Sequence, residues 1–137
     1  MTEPKLSISI LERNDPAFAL VKSAWRISYW EGNYLPDMEF NAFLVGHNEL
    51  MLRLIARSQV RVVKFEDVDE VLGFAVVEES ILSPSLTAHY VYVKAAFRRQ
   101  HLAQALLTGV NVYSMITKKG LLLAKELKMQ FNPYRIL

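Results

Sequence analysis

The sequence contains no cysteine. Disulfides, thiolate nucleophiles and cysteine-rich zinc sites are therefore excluded, and a reducing compartment fits that absence. The first residues, Met1-Thr2-Glu3-Pro4-Lys5, lack a basic stretch followed by an apolar one, so a secretory signal is not expected. No apolar run approaches the roughly 20 residues needed to span a bilayer. A cytoplasmic protein without membrane contact is expected. Excess charge of one sign is also missing: 16 Lys and Arg against 14 Asp and Glu leave +2. With its basic residues scattered, the chain has no footprint for nucleic acid. Internal repeats, low-complexity tracts and Gly/Ser linkers are absent as well.

What is present suits a folded domain. Apolar residues make up 52% of 137 residues and charged ones 22%. A chain of this length is expected to form one domain, residues 1–137, able to bury a core without staples. Leu6, Ile8 and Ile10 alternate with Ser7 and Ser9, a period of two that predicts a half-buried strand over Lys5–Leu11. Asn14-Asp15-Pro16 reads as a helix start. The helix that follows, Ala17–Trp30, places Phe18, Val21, Trp25 and Tyr29 on one stripe and ends at Gly32-Asn33. A second helical region runs from Pro36-Asp37 to about Arg57, with Gly46-His47-Asn48 as the point where it would break into two pieces. Three strands then follow: Gln59–Phe65, Val71–Glu78 and Thr87–Val93. Their turns, Asp67-Val68-Asp69 and Ser83-Pro84-Ser85, are short, so neighbours are antiparallel. A helix from about Arg98 to Gly109, a strand over Asn111–Thr117 and a helix over Lys118–Met129 complete the order. The tail Phe131–Leu137 offers one short strand at most. Strands interrupted by helices imply an α+β chain of three layers, a mixed and mainly antiparallel sheet covered on both faces.

The segment richest in chemical content runs from Tyr90 to Leu107. It is a strand, a short basic loop and an amphipathic helix. Here the sequence resembles the GNAT (GCN5-related N-acetyltransferase) superfamily, whose cofactor motif, Arg/Gln-x-x-Gly-x-Gly/Ala, lies between a Val-containing strand and a helix. Arg98, Leu102, Ala103 and the Ala105-Leu106-Leu107 run match it, and Val93 and Phe97 stand where the family places a strand-end Val and an aromatic. The order of elements matches up to the last helix. The chain is also similar to compact, C-terminally shortened GNAT-like proteins of tailed phages and prophages. Unpartnered amides at a helix start make an anion site. By resemblance, the N–H groups of Arg99, Gln100, His101, Leu102 and Ala103 would cradle the diphosphate of acetyl-CoA, with charge from Arg98 and Arg99. His101 stands where the family usually has Gly; its side chain either crowds the diphosphate or, protonated, pairs with it.

The resemblance also implies catalytic roles. A backbone N–H of Val91 or Val93 would polarise the thioester carbonyl. Tyr134, with Tyr113 behind it, would protonate the leaving thiolate. Glu78, Glu79 and His89 are candidates for the base that deprotonates the amine. Glu78 and Glu79 point to opposite faces of their strand, so only one can line a cleft. Each also has a plainer reading: Tyr134 as an anchor for the tail, the glutamates as solvated strand-end charges, and His89 as a structural histidine. Trp30 and Tyr34 would wall an acceptor cleft. His47, His89 and His101 lack metal-ligand spacing, and there is no nucleophile elbow, P-loop or dinucleotide fingerprint.

Two functions follow. One is acetyl-CoA-dependent transfer to the amine of a small molecule or protein. The other is a catalytically inactive GNAT-fold module that binds a protein or serves as an assembly component. Family domains usually add two strands after the last helix assigned here. The missing edge would come from a partner chain, which predicts a homodimer or larger assembly.

Overall fold

The computed structural model describes residues 5–32, 38–80, 85–98, 101–115 and 117–137. The alternating segment forms strand β1 (Leu6–Ile10). Helix α1 (Phe18–Gly32) starts where Asp15 Oδ1 accepts the Ala17 N–H at 2.8 Å, so the aspartate is the cap. Its expected stripe packs inward, with Val21 and Trp25 buried. Helix α2 (Phe40–Ala56) is unbroken. The break expected at Gly46-His47-Asn48 does not occur, because its neighbours hold the inner face. His47 is buried among the rings of Trp25, Tyr29 and Phe43, and Asn48 Oδ1 accepts from Arg26 Nη2 at 3.2 Å. Against those contacts a helical glycine costs only about 1 kcal/mol. The expected helix start at Pro36-Asp37 and most of the Ser83-Pro84-Ser85 turn lie outside the described residues.

Strands β2 (Gln59–Phe65), β3 (Val71–Glu79) and β4 (Leu86–Val93) follow as expected. They are succeeded by α3 (Leu102–Leu106), β5 (Val110–Tyr113), α4 (Lys118–Glu126) and β6 (Gln130–Phe131), then a 3-10 turn at Pro133–Ile136. The expected α3, Arg98–Gly109, is cut to five residues. Arg98 is extended (φ −70°, ψ 157°), His101 and Gly109 have left-handed φ values of 60° and 81°, and none of the three can sit inside an α-helix. β5 is likewise shorter than the expected Asn111–Thr117.

The six strands form one sheet in chain order, antiparallel from β1 to β4 and parallel from β4 to β6. Helices α1 and α2 cover one face over a core of Val21, Trp25, Met51, Leu54, Val60, Val62, Phe74 and Val76. Helix α3 covers the other over Val63, Leu72, Ala75, Val77, Val93 and Leu106, and Leu123 of α4 packs beside it. Each fully buried large apolar side chain contributes about 1.5–3 kcal/mol. This is the three-layer α+β arrangement that the sequence order implies. Residues 135–137 are clasped by the C-terminal end of α2 and its cap: Arg53 Nη2 donates to Ile136 O at 3.3 Å, and Arg57, the cap residue, donates to Leu137 O at 3.0 Å and Arg135 O at 2.7 Å. No helix among the described residues is long and apolar enough to cross a membrane.

Candidate active site

The site begins with an irregularity in β4. Val76 pairs with Tyr90 and Val77 with Ala88, so His89 is an extra residue, a β-bulge. The bulge exchanges the faces of the strand: Ala88 packs toward α3, whereas Tyr90 packs toward α1. It also marks where β4 leaves β5. Those strands pair only over Leu86–Ala88, and their last backbone bond is Ser114 N–H to Ala88 O at 3.2 Å. Beyond it, Tyr90–Val93 pair with β3 alone, and the two strands part.

The direction of the freed backbone groups follows from the ladder. Lys94 N–H bonds Leu72 O at 2.8 Å. Antiparallel pairing alternates, so Tyr92 and Tyr90 also turn their amides toward β3. Val91 and Val93 therefore turn N–H and C=O toward the parted edge. Val93 O is met there by Arg98 Nε at 2.9 Å. Gly73 lets the strands come this close: a Cβ on it would lie 2.6 Å from Tyr92 O.

The parting opens a cleft of about 460 Å³. One wall is β4 from Ala88 to Val93, with Ser28, Glu31 and Gly32 from the end of α1. The other is Tyr113, Met115, Thr117, Lys119, Gly120, Leu123 and Ala124, while Ala103, Leu107 and Met129 close the base. Thr117 Oγ1 caps α4 by accepting the Gly120 N–H at 2.9 Å. A second hollow of about 410 Å³ continues from the first, sharing Val93, Arg98, Ala103, Lys119 and Leu123. His101, Leu102 and Gln104 line it as well. Its cationic groups are Arg98, Lys119 and, when protonated, His101. Among the described residues that line it the one carboxylate, Glu126, accepts from Gln104 Nε2 at 3.0 Å.

Deep in the cleft, the bulge residue is fully engaged. His89 Nε2 lies 2.6 Å from Glu78 Oε1 and Nδ1 lies 2.6 Å from Ser114 Oγ. Arg57 Nε donates to the same Glu78 oxygen at 2.9 Å. Burial pushes the His89 pKa down against the opposing pull of Glu78, with Arg57 adding to the lowering. The ring is thus neutral near pH 7; the network assigns the proton to Nε2, donating to the carboxylate, and leaves Nδ1 to accept from Ser114. Tyr90 is held likewise. Ser28 Oγ donates to Ala24 O at 2.5 Å, so the Tyr90 hydroxyl, 2.6 Å away, donates to Ser28. Burial pushes that phenol up to about 12.

The structure thus brings together Val91, Val93, Arg98, His101, Leu102, Ala103 and His89 along the two hollows. Neither Glu78 nor Glu79 is among the lining residues; Glu78 joins the site through its bond to His89, whereas Glu79 lies at the exposed strand end. Tyr134 is not brought to the cleft. Its 3-10 turn leaves it 76% exposed, and the clasp by Arg53 and Arg57 holds that turn against α2. Tyr113 does line the cleft, its ring packed at a tilt against Phe131 with centroids 5.2 Å apart. Trp30 packs against Phe40 and Phe43. Arg99, Gln100 and Tyr34 lie outside the described residues. Ser114, Arg57 and Ser28 were not legible as site residues, since only the β4–β5 register, the contact of Arg57 with β3 and the packing of α1 on β4 bring them in. Among the described residues no group of three His, Asp or Glu is placed to hold a metal.

No family model matches the sequence, and no curated protein matches it. Solved structures do match the coordinates. A Pyrococcus furiosus protein provisionally named an acetyl transferase superposes with a TM-score of 0.57 at 17% identity, covering 93% of this chain and 79% of that one. An aminoglycoside acetyltransferase from an uncultured soil metagenomic sample, solved with sisomicin, gives 0.55 at 18% identity over 90% and 87%. A Trypanosoma brucei acetyltransferase gives 0.54 at 16% identity over 92% and 93%. This chain has the GNAT fold. In that GNAT framework the parted β4–β5 edge, the bulge at His89 and the hollow beside α3 belong to one continuous groove. At these identities the likeness is one of fold.

Proposed function

We propose that this protein is an acetyl-CoA-dependent N-acetyltransferase acting on the amine of a small molecule or protein. One observation carries the reading: the outward amides of Val91 and Val93 face a cleft that continues into a cationic hollow. The residues present fit an extended thioester bearing phosphates. Arg98 and Lys119 supply positive charge at the hollow, while Ala103 and Leu107 offer an apolar bed nearer the parted strands. Acetyl-CoA would supply the activated acetyl group.

The chain's own groups divide the remaining work. The N–H of Val91 or Val93 donates to the carbonyl oxygen on which negative charge develops; such fixed donors contribute about 2.7–4 kcal/mol each. Glu78, His89 and Ser114 form the base system: the proton leaving the amine is carried by water to Ser114 Oγ as Ser114 gives its own to His89 Nδ1, and Glu78 steadies the imidazolium. Tyr113, at the cleft wall, takes the acid role that sequence reasoning assigned first to Tyr134. The experiment is release of free thiol from acetyl-CoA in the presence of a panel of primary amines. Amine-dependent release is the expected result.

A second reading, the inactive module, is favoured by one feature: both His89 nitrogens are already bonded inside the wall. Tight acetyl-CoA binding without thiol release for any amine would support that reading and overturn the enzyme. Cytoplasmic residence and assembly with a further chain complete the proposal; no nucleic acid or membrane is involved.

A further inference from the structure

Strand β1 lies at the edge of the sheet, bonded to β2 alone. Leu11 N–H bonds Val60 O at 2.9 Å, and Glu66 N–H bonds Lys5 O at 2.8 Å. By the alternation of the ladder, Lys5, Ser7, Ser9 and Leu11 turn their backbone groups inward to β2. Leu6, Ile8 and Ile10 turn theirs outward, away from the sheet. The same three residues carry exposed apolar side chains, at 43%, 45% and 55%. They share a face with Val63 and Phe65, their neighbours on β2. Helix α3 covers β2, β3 and β4 on that face and leaves β1 bare. Protein edges are ordinarily guarded by charge, proline or a bulge. Between Leu6 and Ile10 there is none of these.

The segment Leu6-Ser7-Ile8-Ser9-Ile10 also has the same apolar and polar pattern in both directions about Ile8. We propose that β1 pairs antiparallel with β1 of a second copy across a two-fold axis through Ile8. In that register Ile8 faces Ile8 of the partner subunit, and Leu6 faces Ile10 of the partner subunit. All three outward residues meet outward residues, and each such pair exchanges two N–H···O bonds. A shift of one residue would set outward groups against groups already bonded to β2, and would oppose Ile to Ser. The apolar side chains of both strands lie on one face and cover one another as cross-strand pairs, each contributing about 0.2–1 kcal/mol. Because the contact is isologous it closes as a dimer and does not propagate. The opposite edge, β6, has only two residues and offers no comparable ladder. The partner expected from the sequence at the C-terminal edge is thereby assigned to β1. This assignment does not depend on acetyl transfer.

Sedimentation equilibrium of the protein, with Ile8→Lys and Leu52→Lys beside it, tests the assignment. Ile8→Lys sets two ammonium groups against each other on the axis, and its mass is expected to halve from dimer to monomer. Leu52, 46% exposed on α2, is the control, and its variant is expected to remain dimeric. Circular dichroism reports whether Ile8→Lys stays folded. If it does not, Ile8→Cys decides: paired Cα atoms in this register are about 5.5 Å apart, within disulfide range. In a chain without other cysteines, oxidation should then yield a covalent dimer. A wild type that is monomeric at every concentration reached, a folded Ile8→Lys dimer, or an uncrosslinked Ile8→Cys would overturn the proposal.

Discussion

His101 is the residue whose replacement tests the site and the fold together. It caps α3 with φ 60° and ψ 19°, and its side chain makes no capping bond. A residue with a Cβ pays about 1–2 kcal/mol for this left-handed conformation. Glycine adopts it freely, though its greater freedom in the unfolded chain returns roughly 0.5–1 kcal/mol. His101→Gly is therefore expected to stabilise the protein by about 0.5–1 kcal/mol, a rise in Tm of roughly 2–5 °C for a chain of this size. His101→Ala keeps the strained backbone and is expected to give no rise. Thermal unfolding of the two variants beside wild type separates backbone strain from loss of the imidazole. His101 also lines the cationic hollow, so the glycine variant should bind acetyl-CoA more tightly if the side chain narrows the entry. A glycine variant no more stable than the alanine variant would refute the strain argument.

Other outcomes follow from the same structure. Burial, aided by Arg26, lowers the His47 pKa from its ordinary 6.5 to about 4. Between those values the unfolded chain binds more protons than the native one. This stability is present above pH 6.5 and lost as pH falls toward 4, by at most about 3 kcal/mol. His47→Phe, which suits the stack on Tyr29 and Phe43, should flatten part of that loss in denaturant titrations at pH 7 and 4.5, leaving the share due to His89. Gly73→Ala should cost about 1–3 kcal/mol, because its Cβ would meet backbone and not a movable side chain. Thr117→Ala removes the cap of α4 and should cost about 1 kcal/mol in chemical denaturation. Ser114→Ala should lower the rate of thiol release while leaving acetyl-CoA affinity intact; equal losses in both would instead mark Ser114 as structural.

The Val21-Trp25-Tyr29 stripe is legible because side-chain period and packing agree there, and strands β2 to β4 run close to their expected limits. The Leu6-Ile8-Ile10 alternation also corresponds to a strand, but the half-buried face it predicts is not found, because β1 is an edge strand and these three side chains are exposed. Helix α3 was overextended because Leu102 and Leu106 continue a helical pattern into residues whose backbone turns left-handed. Nothing in the identity of a histidine announces that conformation. Gly46 misled in the opposite sense, since burial of His47 outweighs glycine's weak helix propensity. The cleft itself was legible only in part. Val91 and Val93 were identified through the strand–loop–helix pattern, but their outward direction depends on the bulge at His89, a register feature that no local pattern carries. Tyr134 was chosen by chain order, whereas its place is decided by Arg53 of α2 and Arg57 at its C-terminal cap. Ser114 joins His89 only through a parallel pairing between strands separated by α3.

The claim on which the functional account rests is that two backbone amides of β4 await a thioester. A titration of ¹⁵N-labelled protein with acetyl-CoA, followed by amide NMR, addresses it most directly. The Val91 and Val93 resonances are expected to shift and their hydrogen exchange to slow, while the Tyr90 and Tyr92 amides, already bonded to β3, change less. Saturating acetyl-CoA that leaves the Val91 and Val93 signals unmoved would contradict it.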